Sequence, residues 1–171
     1  CIWYENDFEI VLSRLKNNIN DDDFISLNVD DNETVWLGTN NGLYNYKESI
    51  WRIFTTQNSK LPNNHIWSIE VDSKNNKWVG TKKGIAVITK QELLLYCIKN
   101  TPLKTNIVKS IIRDEYDRIW VSTERGIVSY DGKVWKKQKT KNKKPVIINL
   151  FIDSFDNKWI CTSSSVVVYN S

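Results

Sequence analysis

Lys77-Trp78-Val79-Gly80-Thr81-Lys82-Lys83-Gly84-Ile85 is one of four versions of the same phrase in this chain. Val35-Trp36-Leu37-Gly38-Thr39-Asn40-Asn41-Gly42-Leu43 precedes it, and Ile119-Trp120-Val121-Ser122-Thr123-Glu124-Arg125-Gly126-Ile127 follows. Lys158-Trp159-Ile160-Cys161-Thr162-Ser163-Ser164-Ser165-Val166 is a worn fourth copy. The tryptophans stand 42, 42 and 39 residues apart, and the threonines keep step with them. Self-similarity at a period in the forties, with several short strands per unit, is the mark of a propeller-type array.

Each unit reads as four short strands, a to d. In the second, Ile66–Val71 is strand a and Asp72-Ser73-Lys74-Asn75-Asn76 is a polar turn. Lys77–Thr81 is strand b, Gly84–Ile88 strand c and Leu93–Ile98 strand d. Short β-branched and aromatic runs between Asn, Asp, Gly and Lys turns are the strand-and-hairpin signal. The runs are apolar at consecutive positions, as befits a small sheet covered on both faces. The other strands a are Phe24–Val29, Val108–Ile112 and Ile147–Ile152, and the last strand c is Val166–Tyr169. Asp30, Asp72, Asp114 and Asp153 each stand six residues before a strand-b tryptophan, where an Asp can bond its own turn backbone. Gly42, Gly84 and Gly126 close the b–c turns and are expected at positive φ; Ser165 breaks the rule. Trp51, Leu93 and Trp135 mark strand d, fifteen residues after the strand-b tryptophan.

The fourth unit has no strand d of its own. Phe8 precedes Trp51 by 43 residues, so Phe8-Glu9-Ile10-Val11-Leu12 matches one. An N-terminal strand that completes the C-terminal blade closes a propeller and removes its open edges. Phe8, Val11, Leu12 and Leu15 also lie at helical spacing, which is the competing reading of this segment. The expected fold is therefore all-β, one propeller domain over 1–171 with four four-stranded blades closed by the N-terminal strand. Its repeats span about 24–65, 66–107, 108–146 and 147–171, after a segment over 1–23. An eight-bladed dimer and an open fragment of a longer array are the alternatives.

Bulk properties narrow the rest. No apolar run has the length needed to span a bilayer as a helix. A net charge of +4 falls short of a dedicated nucleic-acid binder, so no specific nucleic acid is expected. Three cysteines, an odd number, argue against a disulfide framework. Cys161 replaces Gly38, Gly80 and Ser122, a position for a small side chain, and Cys97 lies on an outer strand, so a bridge between them is not expected. The chain has no methionine and begins with Cys1, as a processed bacterial lipoprotein does, so lipidation at Cys1 is the expectation and an arbitrary boundary the alternative.

Apolar strand, Asp, polar turn, Trp-apolar-Gly-Thr-x-x-Gly, apolar strand: this pattern resembles the two-component regulator propeller repeat. The matching residues are Asp30, Trp36, Gly38, Thr39 and Gly42; Asp72, Trp78, Gly80, Thr81 and Gly84; Asp114, Trp120, Thr123 and Gly126; and Asp153, Trp159 and Thr162. The resemblance implies a periplasmic sensor-type propeller or related lipoprotein of a Bacteroidetes-type Gram-negative bacterium. Its membrane link would be only a lipid on Cys1, in the periplasm or at the outer membrane. It implies a non-catalytic ligand-binding or sensory role, for a carbohydrate or a protein, and no cofactor. The kinase domains and membrane span that accompany such sensors are not in this sequence. A structural module that self-associates as a homodimer to complete a larger propeller is the alternative function.

Candidate sites follow from what the repeat does not dictate. Trp36, Trp78, Trp120 and Trp159, with Thr39, Thr81, Thr123 and Thr162, recur once per blade, so they read as structural. Trp67 and Trp3 are off the pattern; Ile25, Lys109 and Ile148 are the counterparts of Trp67. The b–c turns and the linkers from strand d to the next strand a share one face of the array. Asn40, Asn41, Lys82, Lys83, Glu124, Arg125, Asn64 and His65 vary there and form the candidate ligand face. The lysines at 133, 136, 137, 139, 141, 143 and 144 suit an anionic surface, or simply guard an outer strand against edge pairing. Asp21-Asp22-Asp23 lacks an ordered calcium-ligand spacing, so no metal is expected. His65 is the one histidine, and no catalytic set assembles around it, which disfavours a lyase such as those that open streptogramin rings.

Overall fold

The computed structural model describes residues 24–139 and 146–169. Among these residues fifteen strands follow one another in meanders. The first blade is β1 (Phe24–Val29), β2 (Val35–Thr39), β3 (Leu43–Lys47) and β4 (Ile50–Phe54). The second is β5 (Ile66–Val71), β6 (Lys77–Thr81), β7 (Gly84–Ile88) and β8 (Leu93–Tyr96). The third is β9 (Val108–Arg113), β10 (Ile119–Thr123), β11 (Gly126–Tyr130) and β12 (Trp135–Gln138). β13 (Ile147–Ile152), β14 (Lys158–Thr162) and β15 (Val166–Tyr169) form the fourth, which has three strands among the described residues. Each sheet is antiparallel, with its strands in chain order.

The blades stand side by side, β1 against β5, β5 against β9 and β9 against β13. The core is one apolar layer per junction, with a smaller cluster of Leu37, Tyr44 and Trp51 in the first blade. Trp36 and Leu43 pack on Ile66 and Ile69; Trp78 and Ile85 pack on Val108 and Ile111; Trp120 and Ile127 pack on Ile147 and Leu150. A residue that must fill one junction per blade recurs at the repeat period, which is why the tryptophans do. Gly38 and Gly80 lie where the next blade presses closest: an added Cβ would sit 2.7 Å from Ile66 Cγ2 and 2.8 Å from Val108 Cγ1 respectively. Cys161 holds the same position in the last blade, which no later blade covers among the described residues. Cys97 and Cys161 are both free thiols.

Closure is not seen among the described residues. The segment Phe8–Leu12, expected to close the ring, lies outside them, as do Cys1, Trp3, Asp21 to Asp23 and the lysines at 141, 143 and 144.

Two kinds of hydrogen bond explain the repeat pattern. The first runs from each strand-b indole to the Asp six residues earlier. Trp36, Trp78, Trp120 and Trp159 donate Nε1–H to Asp30, Asp72, Asp114 and Asp153 Oδ2 at 3.0, 2.9, 2.8 and 2.8 Å. The other oxygen of each Asp takes two amides of its own turn; Asp30 Oδ1 accepts from Asn32 and Thr34. The second uses the threonines. Thr39, Thr81, Thr123 and Thr162 hydroxyls donate to the carbonyls of Gly42, Gly84, Gly126 and Ser165. Because the threonine side chain closes the turn, Ser165 can replace glycine there. Gly84 and Gly126 have φ of +119° and +142°. Gly42, against expectation, is not at positive φ. Its N–H bonds Thr39 Oγ1, and the close carbonyl of Phe54, 3.0 Å from where a Cβ would be, is what keeps it a glycine.

Candidate functional site

Strand a of every blade carries a bulge at its second residue. Pairing runs Ile66↔Thr81 then Ser68↔Gly80, which leaves Trp67 over; Ile25, Lys109 and Ile148 are left over in the same way. A bulge releases a side chain from the alternation of its strand and re-aims it. The four bulged residues therefore point where no packing rule specifies them, beside the b–c turns. Three are aliphatic or cationic, and Trp67 is the aromatic one.

Trp67 gathers part of the candidate face. The His65 ring lies 4.5 Å from it, centroid to centroid. Lys109, the bulged residue of the next blade, places Nζ 3.8 Å from the ring centroid, and Lys82 Nζ is at 6.0 Å. Both lie within the range of cation–π attraction. Glu124 Oε1 is 3.6 Å from Lys109 Nζ. Trp67 Nε1 is shielded and has no hydrogen-bond acceptor among the described residues. Blades two and three thus share an aromatic platform with two cations, one carboxylate and an imidazole.

The remaining candidates sit elsewhere on the same face. Asn64 Oδ1 accepts from Thr56 N–H at 2.7 Å and organises the linker. The amides of Asn41, Lys83 and Arg125 bond the threonine hydroxyls of their turns, and the side chains of all three are exposed. Asn40 is half-buried in the first turn. Lys109 is the member that the variable turns did not indicate, because it lies in a strand; its correspondence with Trp67 was the available signal. On the outer strand β12, Lys136 pairs with Asp131 at 3.2 Å.

A second electrostatic feature crosses the junctions. Lys77 and Lys158 open strand b in blades two and four, and both are buried. Lys77 Nζ lies 2.7 Å from Asp30 Oδ2 of the preceding blade, and Lys158 Nζ lies 3.8 Å from Asp114 Oδ2. Burial opposes the charge on Asp30, but bonds from Lys77, Trp36, Thr34 and Asn32 outweigh it and lower its pKa to about 2. Burial likewise opposes the Asp114 charge, and Trp120 and Arg118 still hold its pKa below the ordinary value. These carboxylates are saturated with donors, so they are structural charges and not open acid–base groups. Among the described residues no three His, Cys, Asp or Glu side chains converge on a metal position.

No curated protein matches the chain. Among solved structures, the extracellular domain of a hybrid two-component system of B. thetaiotaomicron matches with a TM-score of 0.76 at 23% identity, covering 86% of this chain and 22% of that one. A second extracellular domain of a hybrid two-component system from the same organism matches with a TM-score of 0.52 at 23% identity, over 87% of this chain and 28% of that one. Virginiamycin B lyase from Staphylococcus aureus, a catalytically inactive variant with quinupristin, matches with a TM-score of 0.69 at 15% identity, over 90% of this chain and 57% of that one. This chain thus spans about a fifth to a little over half the length of these proteins, and at such identities the likeness shows the fold. A family model described as two component regulator propeller matches residues 60–83 and 102–125, each running from a linker through strands a and b to the following turn. The chain is an all-β array of propeller-like blades, and two of its segments, 60–83 and 102–125, match the two component regulator propeller model.

Proposed function

We propose that the chain is a non-catalytic binding or sensory module that works outside the cytoplasm, and that it takes a carbohydrate at Trp67. The observation that carries this is the bulged Trp67 with Lys109 and Lys82 about its ring. Indole presents a broad apolar surface to the C–H face of a sugar, and its Nε1–H needs an acceptor when shielded. Lysine ammonium groups donate to hydroxyls, and most strongly to a carboxylate or sulfate, which favours an acidic saccharide. The likeness to extracellular domains of two-component systems supports the extracytoplasmic setting. The non-catalytic reading is supported by Lys109 and Lys82 engaging the ring and Glu124 engaging Lys109, with no nucleophile–base pair among the described residues of the site.

The test is thermal stabilisation of the chain across a panel of neutral and acidic oligosaccharides. A ligand at a hundred times its Kd stabilises by about 2.7 kcal/mol, well within reach of a melting scan. Saturable stabilisation that is lost in Trp67→Ala and weakened in Lys109→Ala supports the site. Stabilisation indifferent to both places the ligand elsewhere, and no response to any saccharide removes the carbohydrate reading.

A further inference from the structure

Charge is sorted between the two faces of the array. The four a–b turns, at 30–34, 72–76, 114–118 and 153–157, hold nine carboxylates and two cations. The cause is structural, since every a–b turn needs an Asp for the strand-b indole. The opposite face reverses the sign. Lys60 and Lys104 stand in its d–a linkers and Lys82, Lys83 and Arg125 in its b–c turns, all of them exposed. Glu124 is the one carboxylate in those turns and linkers among the described residues, and it pairs with Lys109. No ion pair among the described residues takes any of the five exposed cations.

The fold does not ask for these cations. Asn41, Lys83, Arg125 and Ser164 are equivalent, and each closes its turn with its backbone amide on a threonine hydroxyl. Neutral side chains serve there in blades one and four, so the positive charge of blades two and three is not a packing requirement. It is also local. It gathers on the two blades that share Trp67, with Lys82 Nζ 6.0 Å and Lys109 Nζ 3.8 Å from the ring centroid.

We infer that Trp67 is one position on a cationic strip across blades two and three, and that the strip takes an extended acidic polysaccharide instead of a short sugar alone. This deepens the saccharide reading of the Trp67 site and rests on it. Charge complementarity sets the sign of the occupant, and the spread of the cations sets its length. Cations on the turns of two neighbouring blades and on the linkers beside them are reached together only by a chain of several sugars that carries carboxylates or sulfates along it. An exposed ion pair multiplies affinity by only roughly 1.5 to 5. Several such pairs on one chain act at high effective concentration, and their factors multiply. Single-stranded nucleic acid, the other flexible polyanion, is held on successive aromatic platforms, whereas the strip has a single indole, Trp67, among its cations.

The test is fluorescence anisotropy of labelled dextran sulfate and carboxymethyl dextran titrated with the full chain, each in fractions of about two and about twelve sugars. Plain dextran and an oligothymidylate of similar length run alongside. The longer fraction of at least one anionic dextran should bind at least about tenfold more tightly than the shorter, and plain dextran more weakly than both. Whichever of the two anionic dextrans binds more tightly tells sulfate from carboxylate, and either supports the strip. Lys83→Gln with Arg125→Gln, both exposed and outside every junction core, should weaken the longer fraction about tenfold and leave the shorter nearly unchanged. The same pair should lower the slope of log Kd against log salt by about two. Lys74→Gln with Lys90→Gln removes equal charge from exposed positions on the opposite face and should change neither fraction. No binding by either anionic dextran, equal affinity for the two lengths, or equal weakening by the two double variants overturns the strip. If Trp67→Ala still abolishes binding when the lengths bind equally, the saccharide site stands and only the strip falls. If the longer fraction depends on Lys83 and Arg125 but ignores Trp67→Ala, the strip is supported and the Trp67 reading falls. Oligothymidylate binding as tight as that of the anionic dextrans, with the same dependence on the variants, overturns the polysaccharide as occupant.

Discussion

Replacing Asp30 with asparagine removes a charge from the junction between the first two blades while keeping its shape. Lys77 Nζ, 2.7 Å from Asp30 Oδ2, then keeps the carbonyl of Asn75 as a partner but loses its counter-ion. The new amide also sets a donor where both Lys77 and the Trp36 indole need an acceptor. The side chain of Asp30 is 2% exposed and that of Lys77 11%, so solvent screens little of the loss. Depression of the Asp30 pKa from 3.8 to about 2 corresponds, at 1.36 kcal/mol per unit, to about 2 kcal/mol of folding stability. Breaking a buried pair by deleting one partner costs about 3–5 kcal/mol in comparable cases; because Lys77 keeps the Asn75 carbonyl, a loss of about 2–3 kcal/mol is expected at pH 7. The folded-state pKa is the lower one. The stabilisation is therefore fully present from about one unit above 3.8 upwards, and it is lost as pH falls through 3.8 towards 2. Urea unfolding of both proteins at pH 7, 5, 4 and 3 should show a constant gap down to pH 5 that narrows below it. A gap under about 0.5 kcal/mol at pH 7, or one that does not change with pH, would refute the assignment of Asp30 as an inter-blade charge.

Thr81→Val is nearly isosteric but leaves the Gly84 carbonyl and the Lys83 amide without their bonds to a fully buried hydroxyl; a loss of about 1–2 kcal/mol is expected in the same unfolding assay. Gly84→Ala and Gly126→Ala should separate steric from backbone strain. Both positions have positive φ, but a Cβ at 84 would sit 2.4 Å from the Tyr96 carbonyl oxygen and one at 126 would meet nothing within 4 Å. The first should therefore lose at least about 2 kcal/mol more than the second, whose cost is the strain of about 1 kcal/mol alone. Trp67→Ala should change the midpoint of unfolding little, because no junction core contains it, yet abolish saccharide-dependent stabilisation; a large loss of intrinsic stability would instead make Trp67 structural.

The repeat made most of the fold readable without coordinates. Fixed spacing of Asp, Trp, Gly and Thr located nearly every strand to within a residue or two, because each blade must present the same groups to the next. What those groups do was less visible. The distance of six residues between Asp30 and Trp36 is on the page, but the indole–carboxylate bond depends on a turn that doubles the chain back, and only the folded turn shows it. Lys77 and Lys158 look like ordinary turn lysines in the sequence; burial against the preceding blade makes them counter-ions. The candidate face was legible as a set of variable turns, yet Asn64 and Lys83 went to local turn bonds and exposed positions, while Lys109 came in from a strand.

The sequence by itself determined the blade, since strand length, turn chemistry and the junction tryptophans are local or repeat at one period. Only the tertiary structure decided what lies between blades and at their ends. Which bulged residue of one blade reaches the ring of another depends on how neighbouring sheets are rotated, and the sequence carries no signal for that angle. Whether Leu27 and Val166 are core or surface depends on the presence of a next blade, which their own repeats, built on the same spacing as the buried ones, cannot encode.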